Sequence, residues 1–230
     1  MGLIAEGLGW LLSQLYSIIQ NYGITIIVFT ILFKICLYPL YKKQIVSTAA
    51  MSEVQPKMQE IQRKYANDKE LMNEKLMELY KEEKFNPMGG CLPMLIQMPI
   101  IIGLFTLLRN PLAYISSNDM IFAVHESFLW MTDLTQPDLW ILPIAAGLST
   151  FISFTQTQAQ QGGAQNAQMA PMMAMMKYFF PIMIVWMGRS FPAGLTIYWF
   201  IGTVVQILFN IHLNKIRKQL REGKYKKKKK

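Results

Sequence analysis

Residues 24–41, ITIIVFTILFKICLYPLY, form an apolar stretch interrupted by a single lysine, Lys34. A helix needs about 20 apolar residues to cross a bilayer, with roughly 17 as the practical minimum. A central lysine costs about 2.5–3.5 kcal/mol on insertion scales, while each Ile, Leu, Val or Phe returns roughly 0.3–0.6 kcal/mol. The stretch is therefore predicted to insert, with Lys34 facing a water-filled cavity or a partner. The alternative is that Lys34 snorkels to the cytoplasmic surface.

The composition is that of a membrane protein. Of 230 residues, 52% are hydrophobic and only 16% are charged, against roughly 25% charged in soluble domains. Cys36 and Cys91 lack CxxC spacing, so a disulfide framework, a zinc site and a redox motif are poorly supported. HExxH and GxSxG motifs are also missing. We therefore expect neither an enzyme nor a bound metal, cofactor or small-molecule substrate.

Five apolar segments predict an all-α membrane protein with five transmembrane helices. We place these spans at residues 23–42, 91–109, 139–156, 177–189 and 192–212. The fourth span is short between Lys177 and Arg189. It crosses the bilayer only if Lys177 snorkels, if the methionine-rich segment from Met169 joins it, or if the membrane thins locally.

The distribution of Lys and Arg predicts the orientation of these spans. Nine such residues lie from Lys42 to Lys84, and ten follow Leu213. Residues 110–138 contain none, but they contain four acidic residues. We therefore predict cytoplasmic segments at 43–90, 157–176 and 213–230, and an external loop at 110–138. Five spans then place the N-terminus outside and the C-terminus in the cytoplasm.

Residues 1–22 are predicted to form an amphipathic helix on the outer membrane surface. They are not expected to be a signal peptide, because they lack the Lys or Arg of a positively charged n-region and have Glu6 in its place. Apolar residues recur at steps of three and four on one helical face: Ile4, Leu8, Leu11, Leu15 and Ile18. Polar residues occupy the other face: Glu6, Ser13, Ser17 and Gln20.

The hydrophilic segment 43–90 is predicted to be a cytoplasmic helical hairpin between the first two spans. Apolar residues recur at helical spacing on each side of Asn67-Asp68: Met51, Val54, Met58, Ile61 and Tyr65, then Met72, Leu76 and Leu79. Two such stripes are expected to face each other, and Pro56 fits only near a helix start. The hairpin is either a solvated linker pair or a docking or gating element, to which we assign Pro56 and Tyr65.

Three of the spans have a polar face. The polar residues at helical spacing are Thr30, Lys34, Tyr38 and Tyr41 in span 1, Ser149, Ser153 and Gln156 in span 3, and Thr196, Trp199, Thr203, Gln206 and Asn210 in span 5. No Asp or Glu lies in any span. Turned inward, these faces would line a hydrated groove that contains the charge of Lys34. The alternative is ordinary hydrogen bonding between helices, worth about 0.6 kcal/mol per residue.

The sequence resembles the YidC/Oxa/Alb family of membrane protein insertases through several motifs in family order. They are the stretch at 86–100, NPMGGCLPMLIQMPI; Asn21-Tyr22-Gly23 and Tyr38-Pro39-Leu40 around span 1; Gln55-Pro56-Lys57-Met58 with Lys64-Tyr65; Phe180-Pro181-Ile182-Met183; and Phe191-Pro192-Ala193-Gly194-Leu195 with Tyr198-Trp199. These matches extend over about residues 20–212.

The resemblance implies five transmembrane helices around a hydrophilic groove, open to cytoplasm and lipid. In the family, a basic residue of span 1 draws the hydrophilic part of a nascent membrane protein into the groove, and Lys34 matches it. Bacterial members usually have arginine there, so this chain has the charge without the planar fork. Trp199 matches a groove tryptophan, and Ser153 falls near a family glutamine. An insertase of the bacterial plasma membrane is implied; the alternative is an anion channel or transporter that uses Lys34.

The loop and the tail on the cytoplasmic side have biased compositions. Residues 157–176 are rich in Gln and Met, which is typical of a flexible loop. The tail is strongly basic and could contact anionic lipid or ribosomal RNA through Lys215, Arg217, Lys218, Arg221, Lys226, Lys227, Lys228, Lys229 and Lys230. In this family a basic tail suggests ribosome docking, and the Sec translocon is a further expected partner. Sequence-specific recognition of nucleic acid is not expected.

Overall fold

A computed structural model of the protein consists of helices joined by loops. It describes residues 2–83, 92–114, 118–160 and 173–228, with the backbone alone at 43–53, 55, 92–97, 111–112, 118–120, 160 and 216–228. The helices are α1 (Gly2–Ile19), α2 (Tyr22–Lys64), α3 (Lys69–Glu82), α4 (Leu92–Arg109), α5 (Pro111–Tyr114), α6 (Asn118–Ala123), α7 (Ile141–Gln160), a π-helical turn (Met175–Phe179), α8 (Phe180–Gly188) and α9 (Ala193–Lys228).

Span 1 and the first arm of the hairpin form one continuous helix, α2, of 43 residues. Pro56 lies inside this helix rather than near a helix start, so that prediction was wrong. Proline removes one helical hydrogen bond and crowds the carbonyl four residues earlier. The helix continues through Pro56, which is exposed, while Val54 and Met58 beside it are buried against α3.

The hairpin closes by packing α3 against the end of α2. Asp68 begins α3, and its side chain accepts a hydrogen bond of 3.0 Å from the backbone N–H of Leu71. The buried cluster between the two helices consists of Val54, Met58, Met72, Leu76 and Leu79. These residues belong to the two apolar stripes in the sequence, which the structure brings face to face. An ion pair between Lys57 and Glu83 joins the same two helices.

Helix α1 packs on the rest of the protein through a face whose buried residues share only Leu8 with the apolar stripe in its sequence. Its buried residues are Ala5, Leu8, Gly9 and Leu12, whereas Leu11 and Ile18 of the predicted apolar stripe are 45% and 81% exposed. Glycines set this rotation, because a Cβ on Gly9 would lie 2.5 Å from the Tyr114 carbonyl oxygen. The exposed apolar face and the length of α1 also suit a membrane span, as judged by length and composition.

Within the described residues, three helices are long and apolar enough to cross a membrane: Gly2–Ile19, Tyr22–Lys42 and Ala193–Lys215. Met98–Arg109 and Met175–Gly188 are shorter apolar helices. The described end of the methionine-rich lead-in joins the fourth segment, since the π-helical turn Met175–Phe179 continues directly into α8. Residues 169–172 of the lead-in lie outside the described residues. Lys177 in this turn lies over the rings of Phe151 and Tyr178, at 5.6 and 5.1 Å. The count of five spans stays a prediction.

Residues 124–138 form a cap over the beginnings of three helices. The backbone N–H of Tyr22, at the start of α2, donates to Glu126 over 2.7 Å. Two carbonyls of the cap accept from the first turn of α9, Gln136 from Ala193 at 2.9 Å and Leu134 from Gly194 at 3.0 Å. Acidic side chains at helix N-termini are stabilising because they face unsatisfied N–H groups and the positive end of the helix dipole.

Asp138 performs the same role at α7. It accepts hydrogen bonds from the backbone N–H groups of Trp140 and Leu142 and from the indole N–H of Trp130. Partial burial opposes ionisation, but these hydrogen bonds outweigh it and hold the pKa of Asp138 below its ordinary value. Two of the acidic residues that mark this loop in the sequence, Glu126 and Asp138, therefore cap helices.

Glu126→Gln is expected to destabilise the junction of α1 and α2. Glu126 also accepts a hydrogen bond from the Tyr16 hydroxyl, and the amide removes the negative charge at both contacts. The expected cost is about 1 kcal/mol, typical of a lost cap, measured as a lower melting temperature in detergent. Glu6→Gln is the matched control, since Glu6 is exposed on α1; an equal loss in both variants would contradict the capping role.

Candidate functional site

Lys34 lies inside the protein, on the face of α2 that meets α9. Only 7% of its surface is exposed. Its ammonium Nζ donates to the Tyr41 hydroxyl over 3.4 Å and lies 5.7 Å from the centre of that ring. The side chain thus extends along α2 toward a residue two turns further on, enclosed by protein rather than exposed on the surface of the helix.

A glycine on α9 makes room for the lysine. A Cβ on Gly202 would lie 3.1 Å from Lys34 Cε and 3.5 Å from Thr30 Cγ2. Thr30 is fully buried, and its hydroxyl donates to the Ile26 carbonyl over 2.6 Å. Lys34, Thr30, Tyr41 and Gly202 therefore form one neighbourhood between α2 and α9. Sequence reasoning missed Gly202, although a lone glycine in an apolar helix often marks a close approach.

A second polar neighbourhood lies between α7 and α9. The indole N–H of Trp199 donates to the Thr150 hydroxyl over 3.1 Å. Two turns further along α7, Thr157 Oγ1 accepts from Asn210 Nδ2 at 3.5 Å. Within α9, Gln206 donates to Asn210 over 3.2 Å. Two side-chain hydrogen bonds thus join α7 and α9, and we call this contact the α7–α9 seam.

The hydrogen bonds of the seam come from residues of α7 that the sequence did not single out. The predicted stripe was Ser149, Ser153 and Gln156, whereas Thr150 and Thr157 make the hydrogen bonds to α9. Both threonines were missed, although their spacing of seven residues places them on one helical face. Gln156 is partly buried, and its Oε1 atom has no hydrogen-bond partner among the described residues.

Two of the remaining predicted groove residues hydrogen-bond the backbone four residues earlier in the chain. Thr196 is buried and donates to the Pro192 carbonyl, and Thr203 donates to the Trp199 carbonyl. Tyr38 packs edge-on against Phe209 of α9, with ring centres 5.0 Å apart. Ser153 is partly buried in α7.

The residues assigned to the hairpin and the tail lie away from these neighbourhoods. Pro56 is exposed, and Tyr65 is half-buried against the hairpin cluster, with Lys64 over its ring at 5.6 Å. Lys215 is exposed on α9, whose backbone continues as a helix to Lys228. The other assigned basic side chains lie outside the described residues: Arg217, Lys218, Arg221, Lys226, Lys227, Lys228, Lys229 and Lys230.

Apolar helices with outward-facing large side chains, enclosing a lysine and a polar seam, define an all-α integral membrane protein. Its interior contains a positive charge and hydrogen-bonding groups where a packed core would be apolar. The sequence profile of the 60Kd inner membrane protein family matches residues 14–221. The chain therefore belongs to this family, whose members below are named membrane protein insertase YidC.

Bacterial relatives are similar to this chain over different shares of their own length. It is 41% identical over 207 residues to membrane protein insertase YidC of Fusobacterium nucleatum, which covers 90% of this chain and 92% of the relative. It is 38% identical to that of Leptospira interrogans and 38% identical to that of Geobacter sp. strain M21, but spans only 32% and 37% of those longer proteins.

A solved structure has a similar fold. It is the crystal structure of an active YidC insertase with its first transmembrane domain resolved. The TM-score is 0.57 at 27% sequence identity, over 89% of this chain and 45% of the other. The similarity thus extends over most of this chain but less than half of the larger protein.

Proposed function

We propose that the chain inserts hydrophobic client proteins into the bacterial plasma membrane and helps them fold there, without acting as an enzyme. Lys34 is the observation that supports this best, as a buried ammonium group on a helix apolar enough to span a membrane. Such a charge costs free energy in a purely structural helix. It lowers the cost of bringing an acidic polypeptide into the same region.

In this proposal, five spans surround a hydrophilic groove that is open to the cytoplasm and to lipid and closed outside. The spans are contributed by α2, α4, α7, α8 and α9, while α1 lies on the outer surface. The excess of Lys and Arg in 43–90 and 213–230 supports a cytoplasmic position for the hairpin and the C-terminus. The N-terminus is then outside. The groove would be lined by Lys34, Thr30, Tyr38, Ser153, Gln156, Thr196, Trp199, Thr203 and Gln206.

The proposed mechanism is attraction followed by partitioning. The short acidic tail of a client enters the groove from the cytoplasm and is attracted by Lys34. Polar side chains of α7 and α9 replace part of its hydration, while its apolar segment slides along these helices into lipid. Apolar partitioning or the membrane potential then releases the tail outward. No step requires a nucleotide.

Partners on the cytoplasmic side complete the proposal. The basic end of α9, from Lys215 onward, would hold the ribosome or anionic lipid through phosphate groups. The hairpin, with Pro56 and Tyr65, would dock or gate the entrance, and the Sec translocon would share some clients. These assignments rest on charge and on the family, and each can be tested separately from Lys34.

Crosslinking tests whether a client passes along the seam. A photoreactive residue at Trp199 is expected to crosslink a ribosome-bound client several-fold more efficiently than one at Trp186. Trp186 is the matched control, because it is 71% exposed on α8, whereas Trp199 contacts α7. Equal crosslinking at both positions would argue against this path. Ion conduction by reconstituted protein that inserts no client would instead favour the anion channel or transporter.

A further inference from the structure

A cavity of about 530 Å³ lies at the end of the molecule opposite the hairpin-bearing end of α2. It is open to the surface and is lined by the end of α4, the helix α6, the loop after it and the connection between α8 and α9. Its polar lining includes Arg109, His125, Thr135 and Ser190, and its apolar lining includes Phe122 and Pro192. Lys34 and the α7–α9 seam do not line it, so the cavity is separate from the proposed groove.

The chemistry of the cavity suits a phosphate group. The guanidinium of Arg109 is exposed and lies 4.9 Å from the centre of the Phe105 ring, a cation–π contact within one helix. A stacked guanidinium still has its N–H edge available, and arginine binds phosphate oxygens through two parallel hydrogen bonds. Ser190 adds a hydroxyl donor at the same cavity.

Asp133 lies close to the cavity, and its carboxylate is already hydrogen-bonded. Asp133 accepts hydrogen bonds from the backbone N–H and the hydroxyl of Thr135, at 2.8 and 2.7 Å, and lies 3.1 Å from His125 Nδ1. Partial burial opposes ionisation of Asp133, but its hydrogen bonds with Thr135 and His125 outweigh burial and hold the pKa below its ordinary value. Among the described side chains that line the cavity, Arg109 therefore carries the fixed positive charge that can meet a ligand.

We propose that this cavity binds the phosphate headgroup of an anionic membrane phospholipid. Arg109 ends an apolar helix, which places it at headgroup depth in the proposed topology. Phe122 at the rim is 77% exposed, and an acyl chain can cover it. Trp130 and Trp140, exposed at the same end, are typical of a membrane interface. A free phosphate or an acidic peptide offers the same anionic chemistry without the acyl chain.

The test measures lipid retained by the full-length purified protein in mild detergent. Native mass spectrometry with added phosphatidylglycerol is expected to detect one tightly held lipid. Arg109→Gln should weaken its retention about tenfold, which corresponds to ~1.4 kcal/mol, and Arg109→Lys should weaken it less. Arg189→Gln is the matched control, because Arg189 lies over the Trp140 ring at 4.3 Å and does not line the cavity.

Two competitors distinguish the sources of the anion. Millimolar glycerol phosphate and an acidic peptide should each fail to displace the bound lipid, because neither has acyl chains. Displacement by either, or equal retention by Arg109→Gln and the wild-type chain, would overturn the proposal. The inference rests on the proposed function only for the depth of Arg109. Lipid retention is measured without any client, so the two can fail separately.

Discussion

Lys34→Ala is expected to reduce insertion of a client with an acidic tail by about tenfold or more, whereas Lys34→Arg should retain most of the activity. Two opposite charges 4 Å apart attract by about 4 kcal/mol at an effective dielectric of 20, so a tenfold loss, ~1.4 kcal/mol, is a modest expectation. Arginine keeps the charge and loses only the compact shape of the ammonium. Protease protection of the client tail in proteoliposomes measures the effect.

Two controls separate this effect from a folding defect. A client with a neutral tail should lose little insertion with Lys34→Ala, because the attraction acts on charge. Lys42→Ala, an exposed position on the same helix, should leave both clients nearly unaffected. The melting temperature of Lys34→Ala should stay equal or rise, since the variant removes a buried charge. Equal losses for acidic and neutral tails would contradict the proposed attraction.

The sequence located the helices well because their signal is local. The apolar stretch around Lys34 and the stripes of the hairpin follow from residue spacing within one segment. Thus Val54, Met58, Met72, Leu76 and Leu79 could be recognised as facing residues before their contacts were known. Pro56 shows the limit of such rules, because a proline is tolerated within a helix when tertiary packing holds both sides of it.

The contacts between helices could not be predicted in the same way. The rotation of α1 depends on Gly9 meeting the Tyr114 carbonyl, more than 100 residues later in the sequence. Which of Ser149 and Thr150 accepts a hydrogen bond from α9 likewise depends on where Trp199 lies. Both serine and threonine are buried there, so hydrophobic periodicity gives no preference. Register between helices is a property of the packed bundle rather than of any single segment.

Gly23→Ala is expected to destabilise the protein, because this glycine lies where α2 meets the cap. Gly23 lies in the first turn of α2, directly under the ring of Phe128. A Cβ at this position would lie 2.3 Å from Phe128 Cγ, and atoms cannot approach that closely. Overpacking of this kind typically costs about 1–3 kcal/mol, so the melting temperature should fall by roughly 2–12 °C for a chain of this size.

Gly7→Ala is the matched control, because nothing lies within 4 Å of its Cβ position on α1. Alanine is favoured over glycine in a helix by about 0.5–1 kcal/mol, so this variant should be neutral or slightly more stable. In a Phe128→Ala background, Gly23→Ala should cost less than about 0.5 kcal/mol, since the ring that it meets is gone and the two changes are coupled. If Gly23→Ala lowers stability as much in that background as in the wild-type chain, contact with Phe128 does not explain the glycine at position 23. A coupled result would tie the start of the helix containing Lys34 to the cap formed by residues 124–138, because the same ring packs on α2 and belongs to that cap.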